Sequence, residues 1–269
     1  MLKERLISAA LGIILFAIII FSERFVLNLA VLAVIEIALW EMYHAVRISD
    51  KKILMIAGFV VPVFVLFGFM SPEPQSVYMA IWVYLLFLFG ILITRHNAYT
   101  FEDIAKFFTI TILVSLLFSH VAWMRQTENG LWNTFAIFVG AWITDSCAYF
   151  AGRAFGKHKL APVISPKKTI EGSIGGVVGT AIVMVVYGLL VGAFTSAQPN
   201  LLHLAELGLL CGVISQLGDL GASAIKREYG IKDYGNIMPG HGGVMDRVDS
   251  VLFVAPLVFH FVGAFPIFV

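Results

Sequence analysis

A chain of 269 residues with 59% hydrophobic and 13% charged side chains holds about half the charge usual for soluble globular domains, roughly 25%. That composition excludes an ordinary soluble fold and points to an all-α, polytopic transmembrane protein with capacity for about nine spans of ~20 apolar residues. The formal net charge of +1 names no partner, and no nucleic-acid binding is expected. The two cysteines, Cys147 and Cys211, lie inside apolar runs and read as small packed thiols, not as a disulfide or metal framework.

In chain order, apolar runs bounded by charge, Pro or Gly predict spans at about 6–22, 25–46, 53–71, 76–94, 104–124, 131–152, 172–195, 201–225 and 248–268. The opening "MLKERLISAALGIILFAIIIFSERF" has the basic start and apolar run of a signal peptide. No A-x-A-like site precedes Glu23–Arg24, so a retained first span is expected. No linker or composition shift divides the chain. One integral membrane domain over 1–269 is expected, with 1–130 supplying spans of low motif content and 131–269 carrying the motifs.

Nine spans place sixteen of the 18 Lys and Arg side chains on one face and leave only Arg24 and Arg125 on the other. The positive-inside rule makes the crowded face, and with it the N-terminus, cytoplasmic. The expected product is a multi-pass protein of the cell (inner) membrane. More than half of those cations sit in two inner loops, "GRAFGKHKLAPVISPKKTIEGS" after the sixth span and "KREYGIKDYGNIMPGHGGVMDRVDS" after the eighth. Both are long and rich in Gly, Pro and His, as expected of a site assembled at the cytoplasmic membrane surface.

Ionisable residues within spans are costly and suggest function. Asp145 lies about two turns from the inner end of span six, and Asp219 lies roughly 10 Å below Lys226 on span eight at 1.5 Å per residue. Asp246 and Asp249 are three apart where span nine begins, so they share a helix face. Four carboxylates at one depth repel unless cations share them, and oxygen ligands suit Mg²⁺ held together with substrate phosphates. Such a cluster also leaves room for a second, monovalent cation. Glu36 and Glu41 on span two have no such company; packing hydrogen bonds and the lining of a cleft are equally good readings of them.

"SPKKTIEGS" supplies phosphate-binding features. Ser165 is expected to cap a helix with Pro166 at its first position, setting Lys167, Lys168 and Thr169 beside a positive helix N-terminus. Lys226, Arg227 and Lys232 add phosphate partners, with Arg offering a bidentate fork. The glycines of "PGHGG" let backbone approach a ligand, and His241 between them can donate to a phosphate oxygen or act as acid or base. By contrast, "GRAFGKH" lacks the spacing and Ser/Thr of a Walker loop. "GSIGGVVGT" reads as small-xxx-small helix packing.

The stretch "SAIKREYGIKDYGNIMPGHGGVMDRVD" resembles the signature of the phosphatidate cytidylyltransferases, or CDP-diacylglycerol synthases. That pattern falls on Ser223, Lys226–Arg227, Lys232–Asp233, Gly235, Pro239, His241–Gly242–Gly243, Asp246–Arg247 and Asp249, departing only at Met238, where a different apolar residue is usual. A second block (Asp145, Ala148–Tyr149, Gly152–Arg153, Gly156–Lys157, Ser165–Pro166, Lys168–Thr169, Glu171–Gly172) is similar to the family's other shared segment. Both lie in the C-terminal half.

The resemblance implies CTP + phosphatidic acid → CDP-diacylglycerol + pyrophosphate, with CTP, phosphatidic acid and membrane lipid as partners, and a homodimer. The expected metal ligands are Asp219, Asp246, Asp249 and Asp145. Asp219, Asp246, Lys226, Arg227 and His241 are the expected catalytic set. Ser165, Lys167, Lys168, Thr169, Glu171, Ser223, Lys232, Asp233, Gly242, Gly243 and Arg247 are expected to bind substrate. A CTP-dependent polyisoprenol or lipid kinase would share much of this logic. An ion-coupled transporter fits less well, because transporters bind near the membrane midplane.

Overall fold

The computed structural model describes residues 12, 14–68, 75–238, 240 and 242–269. Apolar runs become helices because a chain in hydrocarbon must satisfy each backbone N–H and C=O within its own segment. The helices are α1 (Arg24–Ala45), α2 (Lys52–Gly68), α3 (Gln75–Thr94), α4 (Phe101–Met124), α5 (Gly130–Phe155), α6 (Ile170–Phe194), α7 (Leu201–Glu228) and α8 (Met245–Ala264). Residues 14–21 are also helical, and the start of the span expected at 6–22 lies outside the described residues.

Seven of these helices are long and apolar enough to cross a membrane, fewer than the nine expected spans. The shortfall among the described residues is α2, whose 17 residues rise about 25 Å against a hydrocarbon core of ~30 Å. Between α5 and α6 the chain is not all loop. β1 (Lys159–Ala161) pairs antiparallel with β2 (Ser165–Thr169), with Lys159 opposite Thr169 and Ala161 opposite Ser165.

The chain forms two compact units, 1–123 with 231–247 and 124–230 with 248–269. In the first, Tyr43 of α1 and Tyr84 of α3 converge on Thr111 of α4, at 2.7 and 2.9 Å. Because the Thr111 hydroxyl donates to the Phe107 carbonyl, both tyrosines donate to Thr111. This ties three helices through polar groups that lipid could not satisfy.

The second unit is built on glycine seams. A Cβ at Gly179 would fall 2.7 Å from Cys147 Sγ, one at Gly208 2.6 Å from Ala181 Cα, and one at Gly212 2.6 Å from Val177 Cα. With a Cβ at Gly172 also falling 2.7 Å from the Ala148 carbonyl, helices α5, α6 and α7 touch backbone to backbone, as the "GSIGGVVGT" pattern implied. Gln216 Nε2 adds an interhelical bond to the Ser173 carbonyl at 3.2 Å. At the end of α6 remote from the hairpin, Gln198 and Val269 exchange backbone hydrogen bonds of 2.9 and 3.0 Å, closing the unit with the C-terminus.

Overpacking of such a seam typically costs about 1–3 kcal/mol. Gly208→Val is expected to lower the thermal midpoint of the detergent-solubilised protein by several degrees, read by intrinsic fluorescence; an unchanged midpoint would mean the seam opens freely.

Candidate active site

In the second unit the site begins at Thr169. The sequence suggested Ser165 as the cap of the following helix, but Ser165–Thr169 is a strand and the helix starts at Ile170. The true cap is Thr169, whose Oγ1 accepts from Gly172 N at 3.1 Å. Lys167 and Lys168 accordingly stand on β2, directly before the helix N-terminus that Thr169 caps. Gly152 and Gly172 make room for this arrangement: a Cβ on either would fall 2.9 Å from Thr169 Oγ1.

Glu171, expected to touch substrate, fastens the chain leading into β1. Its carboxylate accepts from Lys157 N at 3.0 Å and His158 N at 3.2 Å, and lies 2.6 Å from His158 Nδ1. Arg227 Nε donates to the Ile164 carbonyl at 3.2 Å, holding the hairpin from the end of α7.

These elements surround a cleft of about 430 Å³ lined by Asp145, Tyr149, Arg153, Ser165, Lys167, Lys168, Thr169, Gln216 and Asp219, among others. Lys168 Nζ forms an ion pair with Asp219 Oδ2, both side chains about a quarter exposed. Asp145 is exposed although it sits within a span, because it faces this cleft.

More buried than the cleft residues are Ser223, Lys226 and Asp249, all more than nine-tenths buried. Gly218 allows α8 to approach α7, since a Cβ there would fall 2.9 Å from the Asp249 carbonyl. Asp249 is thereby brought within electrostatic range of Asp219, Lys226 and Asp145. Three of the four expected metal carboxylates share one neighbourhood with a buried ammonium. Among the described residues no three His, Cys, Asp or Glu side chains form a cage able to hold a metal alone.

The first unit carries the glycine-rich loop. Asp246 Oδ2 accepts from Tyr234 N at 2.8 Å and Gly243 N at 3.0 Å, so this carboxylate organises the loop. Gly240 and Gly242 have φ of 75° and 87°, a region open chiefly to glycine, and Met238 N donates to the Gly242 carbonyl at 2.9 Å. Lys232, Asp233 and Arg247 are exposed. His241 lies outside the described residues.

Sequence reasoning left Glu41 unresolved between two readings. It is fully buried on α1 and accepts from Val244 N at 3.0 Å and Met245 N at 2.7 Å. An acid near the end of an apolar span was the only available signal, since its partners lie about two hundred residues away.

A family model described as the cytidylyltransferase family matches residues 3–265. The chain is 31% identical over 274 residues to a phosphatidate cytidylyltransferase of Bacillus subtilis (strain 168), with 98% of each chain covered. Similar enzymes of that name from Staphylococcus epidermidis (strain ATCC 12228 / FDA PCI 1200) and Staphylococcus aureus (strain COL) are 33% and 32% identical, covering 96% of this chain and 97% of theirs. Both motif blocks fall inside the matched region, and the match runs through the N-terminal spans as well. This chain belongs to the cytidylyltransferase family.

Proposed function

We propose that the protein is a phosphatidate cytidylyltransferase, a membrane nucleotidyltransferase that joins CTP and phosphatidic acid to give CDP-diacylglycerol and pyrophosphate. The observation that carries this reading is the cleft where apolar helices end. Its carboxylates, Asp145 and Asp219, and its cations, Arg153, Lys167 and Lys168, line one space.

In the reaction a phosphate oxygen of phosphatidate attacks the α-phosphorus of CTP, and the bond from that phosphorus to the bridging oxygen of the pyrophosphate breaks. Transfer of this kind needs chiefly positioning and charge neutralisation. Lys167, Lys168 and Arg153 grip the phosphates; Arg247, exposed in the first turn of α8, is a further phosphate-binding candidate. Phosphatidate is already anionic at neutral pH, so no general base is required; His241 orients a phosphate.

The donor set fits Mg²⁺. That ion is usually held by one or two carboxylates and completes its shell with substrate phosphates, which matches Asp219 and Asp249 with Asp145 nearby. When bound it supplies neutralisation of the departing pyrophosphate. A second, monovalent cation beside these carboxylates is a further expectation of this reading. With nine crossings, sixteen of the 18 Lys and Arg residues would fall on one side, which supports a cytoplasmic site with the N-terminus inside. A homodimer is the assembly the resemblance implies.

Purified protein in detergent with Mg²⁺, CTP and phosphatidate should release pyrophosphate and form a CDP-lipid, and each omission should stop it. Formation of CDP with a newly phosphorylated lipid would identify a kinase; no turnover of either kind would refute the reading.

Asp246 is a ligand candidate on its spacing from Asp249. Asp246→Asn is expected to insert normally and to lose turnover by on the order of 10²-fold or more. Near-normal turnover would remove it from the site.

A further inference from the structure

We propose that Glu41 is a positioning residue for cytidylyl transfer, capping the N-terminus of α8 from another helix and so setting the turn that carries Asp246. The first N–H groups of a helix have no partner within it, and a carboxylate is the favoured external one because the helix dipole is positive there. Here the donors of Val244 and Met245 both go to Glu41 Oε1 and Oε2, while the preceding amide, of Gly243, goes to Asp246 Oδ2. Three successive amides are thus divided between two carboxylates from opposite ends of the sequence.

A buried acid that merely found nearby donors would not demand a particular backbone around it, and this one does. A Cβ at Gly243 would stand 2.5 Å from both Glu41 oxygens, and one at Gly235 would collide with the same carboxylate. Two glycines of the loop are therefore the space into which Glu41 fits. Their backbone torsions do not call for glycine, since the positive-φ glycines among the described residues are Gly230, Gly240 and Gly242. The side chain is fully buried, so it reaches no substrate and acts only through the loop.

The proposal rests on the cytidylyltransferase reading for its kinetic arm and stands apart from it for its structural arm. The experiment uses full-length protein in detergent, comparing the parent with Glu41→Gln and Gly243→Ala. Hydrogen exchange of peptides across 235–247 is measured with α6 and α7 as internal reference, and kcat and KM for CTP are determined separately.

Glu41→Gln presents an amide N–H₂ to one of two donors. It should speed exchange at 243–246 by about tenfold or more while leaving α6 and α7 unchanged. The catalytic effect should fall on kcat, on the order of 10²-fold, with KM for CTP within about threefold, as expected of misplacement. Gly243→Ala should reproduce the pattern, and in a Glu41→Ala background the added methyl should cost much less.

Exchange that rises equally in α6 and α7 would reduce Glu41 to a stability role and overturn the proposal, as would unchanged loop exchange or an unchanged kcat in both variants. If Glu41→Gln fails to fold, Gly243→Ala alone decides on the same readouts. A parent enzyme inactive with CTP and phosphatidate would instead sink the assigned reaction, leaving the exchange result to judge the cap.

Discussion

Asp219→Asn should cut pyrophosphate release by on the order of 10²–10³-fold while leaving a folded, membrane-inserted protein. The substitution keeps the shape and removes the charge at the point where α7 meets the cleft and where Lys168 is paired. Asparagine cannot offset the ammonium of Lys168 and is a poor ligand for a hard dication. Because both partners of that pair are about a quarter exposed, its loss should cost at most about 1 kcal/mol of stability. The thermal midpoint should therefore barely move while turnover collapses. Turnover within a few-fold of the parent at saturating Mg²⁺ would take Asp219 out of the reaction. A matching collapse of the midpoint would make its role structural.

The opposite balance is expected at Lys226 and Asp249, each more than nine-tenths buried. Lys226→Met strips a positive charge from the neighbourhood of three carboxylates. Removing one of two buried, mutually attracting charges leaves the other uncompensated, at a cost on the order of a few kcal/mol. A large fall in thermal midpoint and loss of turnover should appear together. Adding Asp249→Asn to Lys226→Met should restore much of the midpoint, because the stranded charge goes too, but none of the turnover. Charges that sense each other are non-additive in this way. Strictly additive midpoints would show that the two residues do not sense each other.

These two sites differ in how readable they were beforehand. Asp219, Asp145 and Asp249 stand out in the sequence because carboxylates in apolar runs are rare and expensive. Their gathering in one neighbourhood depends on Gly218, whose missing side chain brings α8 against α7. Lys226, expected in the catalytic set from its motif, is not a loop residue: α7 continues to Glu228 and buries it in its last turn.

Ser165 and Thr169 show the reverse error. A Ser-Pro pair before an apolar run is a sound helix-start signal, but Pro also tolerates an edge strand, and every strand of a two-stranded sheet is an edge. Pairing of Lys159 with Thr169 moved the cap four residues on. Glu41 was the least legible. Its donors are 203 and 204 residues away in sequence, and no local pattern records which amide an acid will meet.

By itself the sequence determined the membrane class and nearly every helix, since about twenty apolar residues in hydrocarbon have no other way to satisfy their backbone. It also determined the family, through the spaced charges of its two motif blocks. Only the tertiary structure decided which charges meet. Lys168 finds Asp219 because a hairpin, and not a helix, presents it. Asp249 shares its charge environment with Asp219, Lys226 and Asp145 because glycine seams let helices touch. Glu41 reaches the start of α8 because Gly235 and Gly243 leave room for its carboxylate. The reason is physical: burial of a run is a local property of composition, whereas the partner of a buried charge is chosen by the packing of segments far apart in the chain.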